Sequence, residues 1–301
     1  MDCKPYLRAH ADELIESLAA LIRIPSVEGT PEDGAPYGRE VARCLRETLA
    51  LCEKLGFRTG NMDHRVGWCE YGEGEEMIAV LGHLDVVPAG DGWSEAEPFS
   101  GEVKNGRIYG RGAMDDKGPV VAAIYALAAL KDAGFAPARR IRILFGTNEE
   151  TGCGDMAWYR EHGGEKPVMG FTPDGEYPVI NGEKGILNGT FARCLHQTGA
   201  YRLTRFEGGT ASNVVPAYAV AELQCPADAA GRITGEKITV TPIKGGIRVE
   251  AQGVSAHGAT PEQGENAIGR LALALTQLPL EGELADCMAF LADRIGLETR
   301  G

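Results

Sequence analysis

Apolar positions recur along this chain with two different periods. Over residues 5–23, Leu14, Leu18, Leu21 and Ile22 are spaced by three and four, and over residues 38–55 Val41, Cys44, Leu45, Leu49 and Cys52 repeat the pattern before Gly56. That period predicts two amphipathic helices. Short apolar runs at 66–71, 77–82 and 107–109 read as strands, with a turn-rich stretch at 88–101 between the last two. Residues 118–133 are nearly all apolar, which predicts a helix packed tightly on a sheet, with Gly134 placed to end it. Residues 140–146 and 168–172 read as further strands, with a helix near 155–162 between them. Strands that alternate with helices predict an α/β unit, a mostly parallel mixed sheet with helices on both faces. Beyond Gly185 the texture changes to long alternating segments at 187–195, 217–224 and 237–251, followed by helical 265–278 and 284–295. This predicts a second, α+β unit, with the division placed between residues 185 and 186.

Composition narrows the function classes. The 301 residues are 44% apolar and 24% charged, an ordinary globular balance. Forty-three acidic against 30 basic side chains give a formal charge of −13, which argues against nucleic acid or an anionic membrane as partner. The eight cysteines form no CxxC pair and read as free thiols of a reducing compartment. The N-terminal residues mix charges with leucines and carry no signal-peptide pattern, and no uncharged stretch nears the roughly 20 residues that span a bilayer. A cytoplasmic protein is expected; oligomeric state is not encoded in any of these features.

The candidate chemistry lies just past the predicted strands, where α/β enzymes place reactive groups. The run 77–82 ends in His83-Leu84-Asp85, 140–146 in Thr147-Asn148-Glu149-Glu150, 168–172 in Pro173-Asp174, and the loop after Tyr109 carries Asp115-Asp116. One imidazole and six carboxylates so gathered call for a divalent counter-ion. Each piece also has a plain structural reading: a hydrogen-bonded His, an Asp pair capping the helix after it, a solvated Glu pair. In His-x-Asp the strand period puts both side chains on one face, so the Asp can hold one ring nitrogen and free the other for metal.

These residues sit in motifs that resemble the zinc-dependent metallopeptidases, the family of aminoacylases, succinyl-diaminopimelate desuccinylases, carboxypeptidase G and the bacterial PepV-type dipeptidases. The motifs are GHLDVVPAGDGW (82–93), GRIYGRGAMDDKGP (106–119), GTNEETG (146–152), TPDGEYPVINGEKG (172–185), GGTASNVVP (208–216) and GVSAHGATPEQGENA (253–267). The Trp after VVPAGDG, the NEET sequence and PDGEYPVINGEKG resemble the PepV-type branch most. The resemblance implies a catalytic unit over 1–185 and part of a lid over 186–301. It implies two divalent ions, zinc with cobalt or manganese as alternatives, one held by His83, Asp115 and Asp174, the other by Asp115 and Glu150, so that Asp115 bridges. Glu149 becomes the general base, Asp85 orients His83, and Asp116 stands behind the ligands. Relatives often have the Asp-Asp peptide cis, which sequence does not establish here. In the lid, His257 polarises the scissile carbonyl and Asn213 contacts the substrate backbone; Cys153 is expected to be a bystander.

The implied activity is hydrolysis of short peptides with a free N-terminus. Deacylation or desuccinylation of N-acyl amino acids is the alternative within the fold, and an inactive metal-binding fragment the alternative outside enzymology. PepV-type relatives run further, to a lid arginine and a histidine that closes the second metal site, whereas this chain stops at Gly301. His10, His64, His162 and His196 match no such motif. A truncated second site, an open sheet edge and an apolar patch are therefore expected.

Overall fold

The computed structural model describes residues 2–299 except 91, 92, 176, 178, 179, 181, 183, 184, 186 and 188. Part of the 172–185 motif and residue 186, the first beyond the expected 185/186 division, lie outside the described set. Two compact units divide the chain, Met1–Asn181 and Gly182–Gly301.

In the first unit the order is α1 (Lys4–Ala9), α2 (Ala11–Ile22), α3 (Arg39–Lys54), β1 (Arg58–Met62), β2 (Val66–Tyr71), β3 (Met77–His83), β4 (Glu102–Lys104), β5 (Arg107–Tyr109), α4 (Lys117–Asp132), β6 (Arg140–Gly146), α5 (Gly154–Glu161) and β7 (Met169–Phe171). Five strands form one sheet in the order β1-β2-β6-β3-β7. β3 runs parallel to β6 and β7, while β2 is antiparallel to both β1 and β6, so β2 alone is reversed. The two faces of the sheet are covered separately. Cys69, Val80, Ile143 and Phe145 pack with Leu21, Leu45, Ile124 and other residues of α2, α3 and α4. Met77, Ala79 and Leu144, one register step away, pack with Tyr159 and Met156 of α5. The period of two along β3 and β6 thus supplies two cores. β1 and β7 are the two edge strands, and Met169 and Phe171 on β7 are 59% and 62% exposed.

The helix expected over 5–23 is broken. His10 leaves helical geometry at φ −108°, and both its backbone N–H and its ring Nδ1 bond the Tyr6 carbonyl, closing α1 before α2 begins. α4 ends as expected, with Gly134 at φ +68° returning its N–H to the Lys131 carbonyl.

The second unit contains β8 (Arg202–Gly208), β9 (Tyr218–Gln224), β10 (Ile238–Ile243), β11 (Gly246–Gln252), α6 (Ala267–Leu275) and α7 (Gly282–Arg294). The strands form an antiparallel sheet in the order β10-β11-β9-β8. Ala219, Ala221, Leu223, Ile247, Val249 and Ala251 turn one face onto Leu271, Leu275 and Met288 of the helices. The alternation at 237–251 is a hairpin rather than one strand. The described residues of 187–195 form no strand; β8, unpredicted, lies further on, where a bulge between Leu203 and Arg205 breaks the alternation that would reveal it. Among the described residues no helix is long and apolar enough to cross a membrane.

Candidate metal centre

Parallel pairing sets His83 opposite Gly146, so β3 and β6 finish side by side and deliver His83–Asp85 and Thr147–Glu150 to one place. Gly82 lets α4 come close. A Cβ there would lie 2.5 Å from Asp116 Oδ2, and that oxygen accepts the His83 backbone N–H at 3.1 Å. Asp116 occupies the N-cap position of α4 yet makes no side-chain cap bond, so its carboxylate serves the strand end rather than the helix. The Asp115–Asp116 peptide is cis. Next to it, the fully buried Lys117 donates from Nζ to the Leu21 and Ile24 carbonyls at 2.9 and 2.8 Å, tying the start of α4 to the end of α2.

His83, 2% exposed, is the hub. Its Nε2 lies 3.0 Å from Asp115 Oδ1, 3.5 Å from Asp174 Oδ2 and 4.0 Å from Glu149 Oε2. On the other side Nδ1 donates to the Asp85 backbone carbonyl at 2.9 Å, with Asp85 Oδ1 at 3.5 Å. Burial alone would lower the His83 pKa, but its bonds to Asp115 and Asp85 and the neighbouring negative charge raise it to about 11. Asp85 therefore holds His83 chiefly through its main chain. Its carboxylate is spent elsewhere: Oδ1 accepts the Glu149 N–H and Oδ2 the Glu150 N–H, both at 3.1 Å.

The carboxylates titrate apart. The bond from His83 holds Asp115 below its usual range, with the charges of His83 and Arg111 adding to the effect. Burial pushes Asp116 up to about 7, and its Oδ1 is buried without a hydrogen-bond partner. Burial, then the charge of Asp115, pushes Glu150 up to about 7, and burial also raises Glu149. So many acids destabilising one another's charge is what a cation would relieve. The donor set fits one: His83, Glu149 and Asp174, and again His83, Asp115 and Glu150, bring one ligand atom each within 4.8 Å of one another. An imidazole nitrogen among carboxylate oxygens suits zinc, cobalt or manganese. His83 is common to both groups, Asp115 and Glu150 belong to one, and Glu149 and Asp174 to the other. Cys153, exposed, points its Sγ to the Glu149 carbonyl at 3.8 Å and belongs to neither group.

His257 and Asn213 lie on neighbouring loops of the second unit. Val214 bridges His257, Val215 N–H bonds the Ala256 carbonyl at 2.9 Å, and Gly258 N–H bonds the Asn213 carbonyl at 2.6 Å. Ala259 N–H donates to His257 Nδ1 at 3.1 Å, which leaves the ring hydrogen on Nε2. Sequence reasoning missed Lys117 and Asp155, a buried lysine and a buried aspartate at helix starts, where charged residues usually signify only a helix terminus.

Comparison with known proteins accords with this geometry. Over 303 residues the chain is 38% identical to YtjP of Bacillus subtilis (strain 168), covering 96% of this chain and 65% of that protein. Over 305 residues it is 34% identical to the Beta-Ala-Xaa dipeptidase of Lactobacillus delbrueckii subsp. lactis, covering 97% and 64%. The chain thus spans less than two thirds of the length of these relatives. The crystal structure of human carnosine dipeptidase 1 shares the fold, with a TM-score of 0.50 at 24% identity, over 58% of this chain and 41% of that one. The model of peptidase family M20/M25/M40 matches residues 79–263, a span that runs from before His83 to beyond His257, and the chain belongs to that family.

Proposed function

We propose that this chain carries the metal-binding unit and part of the lid of a cytoplasmic dipeptidase, with the units at 1–185 and 186–301. His83, Asp115, Glu150 and Asp174 hold two divalent ions, zinc first among the candidates. The observation that carries the reading is the convergence of Asp115, Glu149 and Asp174, from separate chain segments, on the single ring nitrogen of His83. When bound, such ions supply Lewis acidity, polarising a carbonyl and making water more acidic. Glu149, its side chain 45% exposed and its proton affinity raised by burial, takes a proton from the attacking water and returns it to the leaving amine. His257 offers its Nε2–H to the carbonyl oxygen that gains charge, while Asn213 binds the substrate backbone. Asp85 keeps His83 and the Glu149–Glu150 turn in one frame. The substrate is a short peptide with a free N-terminus; the name of the Lactobacillus relative supports a β-Ala residue there.

Rates on Ala-Ala, β-Ala-His, N-acetyl-Ala and N-succinyl-Ala, measured with zinc, cobalt and manganese, test the reading. The dipeptides are expected to be cleaved and the N-acyl compounds spared; the reverse order would make the protein a deacylase. Glu149→Ala should lose turnover and keep its metal, and retained turnover would remove Glu149 as the base.

A further inference from the structure

The turn that carries Glu149 and Glu150 is held by two buried carboxylates that divide its backbone between them. Four consecutive N–H groups, from Thr147 to Glu150, leave the end of β6. Thr147 and Asn148 donate to Asp155 Oδ2 at 2.6 and 3.1 Å; Glu149 and Glu150 donate to Asp85 at 3.1 Å each. Asp85 and Asp155 are each 1% exposed. The other oxygen of Asp155 accepts the Met156 N–H at 2.7 Å, anchoring the carboxylate to the first turn of α5.

The surrounding residues are shaped to this arrangement. A Cβ at Gly146 would lie 2.8 Å from Asp155 Oδ2, so glycine at the strand end admits the carboxylate. The side chain of Asn148 closes the turn from inside: its Oδ1 accepts the Gly154 N–H at 3.1 Å and its Nδ2 donates to Thr151 Oγ1, while its carbonyl accepts the Cys153 N–H at 2.9 Å. A free turn of this length would swing its side chains by more than a metal site tolerates, since productive constellations hold to within about 0.5 Å.

We propose that Asp155 is a positioning residue of the metal centre: by fixing Thr147 and Asn148 while Asp85 fixes the next two residues, it sets where the Glu149 and Glu150 carboxylates stand relative to His83. It touches neither ligand nor substrate and acts through the backbone. The proposal rests on the reading of this cluster as a divalent metal centre.

Cobalt(II) titration of the 301-residue chain, followed by calorimetry and by visible absorption, tests it on Asp155→Ala, Asp155→Asn and, as a stability control away from the turn, Glu70→Gln. Loss of a residue that orients ligands from behind typically weakens metal binding about 10–100-fold. Asp155→Ala should show that loss together with an altered cobalt spectrum. Asp155→Asn, whose amide oxygen can still accept from Thr147 and Asn148, should recover most of the affinity. Glu70→Gln should lower the urea midpoint and leave cobalt affinity and spectrum unchanged. Wild-type affinity and spectrum in Asp155→Ala would overturn the proposal alone. So would an equal loss in Glu70→Gln, which would reduce the effect to stability. A wild-type chain that binds no cobalt would overturn the metal reading and the proposal with it.

Discussion

The two ends of the five-stranded sheet handle negative charge in opposite ways. Where β3 and β6 begin, Glu70 accepts from Arg140 Nη1 at 2.8 Å, Arg142 Nε at 2.8 Å and Arg58 Nη2 at 3.1 Å, and Glu165 pairs with Arg140 and Arg142. Arg142 also lies 4.4 Å over the Trp68 ring. Where the same strands finish, six carboxylates gather about one imidazole. One end is a closed ion network that holds the sheet together; the other has an excess of acid that a bound cation can balance. Charge compensation within the chain marks structure, and its shortfall marks the place for a ligand.

The contrast breaks most visibly if the arginine end is opened. Removing one partner of a buried ion pair costs about 3–5 kcal/mol, because the remaining charge is stranded. Glu70→Ala should lose stability on that scale in urea unfolding yet bind as many divalent ions as the wild type; lost metal would join the two ends into one unit.

Proton release sharpens the other end. With its pKa raised to about 11, His83 carries a proton at neutral pH that a metal must displace, and Glu150, at about 7, carries part of another. Zinc binding near pH 7 should therefore release at least about one proton per chain and tighten as pH rises. Calorimetry in two buffers of different ionisation enthalpy reads the number, and no buffer dependence would contradict the protonated hub.

The smallest effect is a pair of pH slopes of opposite sign in chelator-treated protein. The bond from Arg140 holds Glu165 below its ordinary 4.5, so its contribution is present above that value and lost as pH falls through the folded-state value. Asp116 is raised from 3.8 to about 7 by burial, so its contribution is fullest below 3.8 and lost as pH rises through about 7. In urea unfolding across pH, Glu165→Gln should flatten the acid side slightly, since that side chain is partly exposed, and Asp116→Asn the neutral side.

Much of this was legible from sequence. The runs 77–82 and 140–146 are buried on both faces, so their strands and the reactive residues after them stand out from the pattern. Four segments could be placed at one site because α/β strand ends converge. The exceptions have local causes. β1 reads as a loop because Arg58–Met62 is polar, and it joins the sheet by pairing along β2, where Gly60 leaves room for Trp68. β8 is masked by its bulge, and α1 stops at His10 through a ring nitrogen that competes for a helix carbonyl. Asp85 was readable as a partner of His83 but not as a holder of the Glu149–Glu150 backbone, since main-chain donors leave no trace in side-chain spacing. The same is true of Asp155.

The central claim is that the acid end of the sheet is a divalent metal centre organised on His83. Elemental analysis of the purified chain, loaded with zinc and freed of excess, tests it most directly beside His83→Ala. The account predicts bound zinc, at least one ion per chain, in the wild type and none in the variant. A wild-type chain without metal, or a variant that retains as much as the wild type, would contradict it.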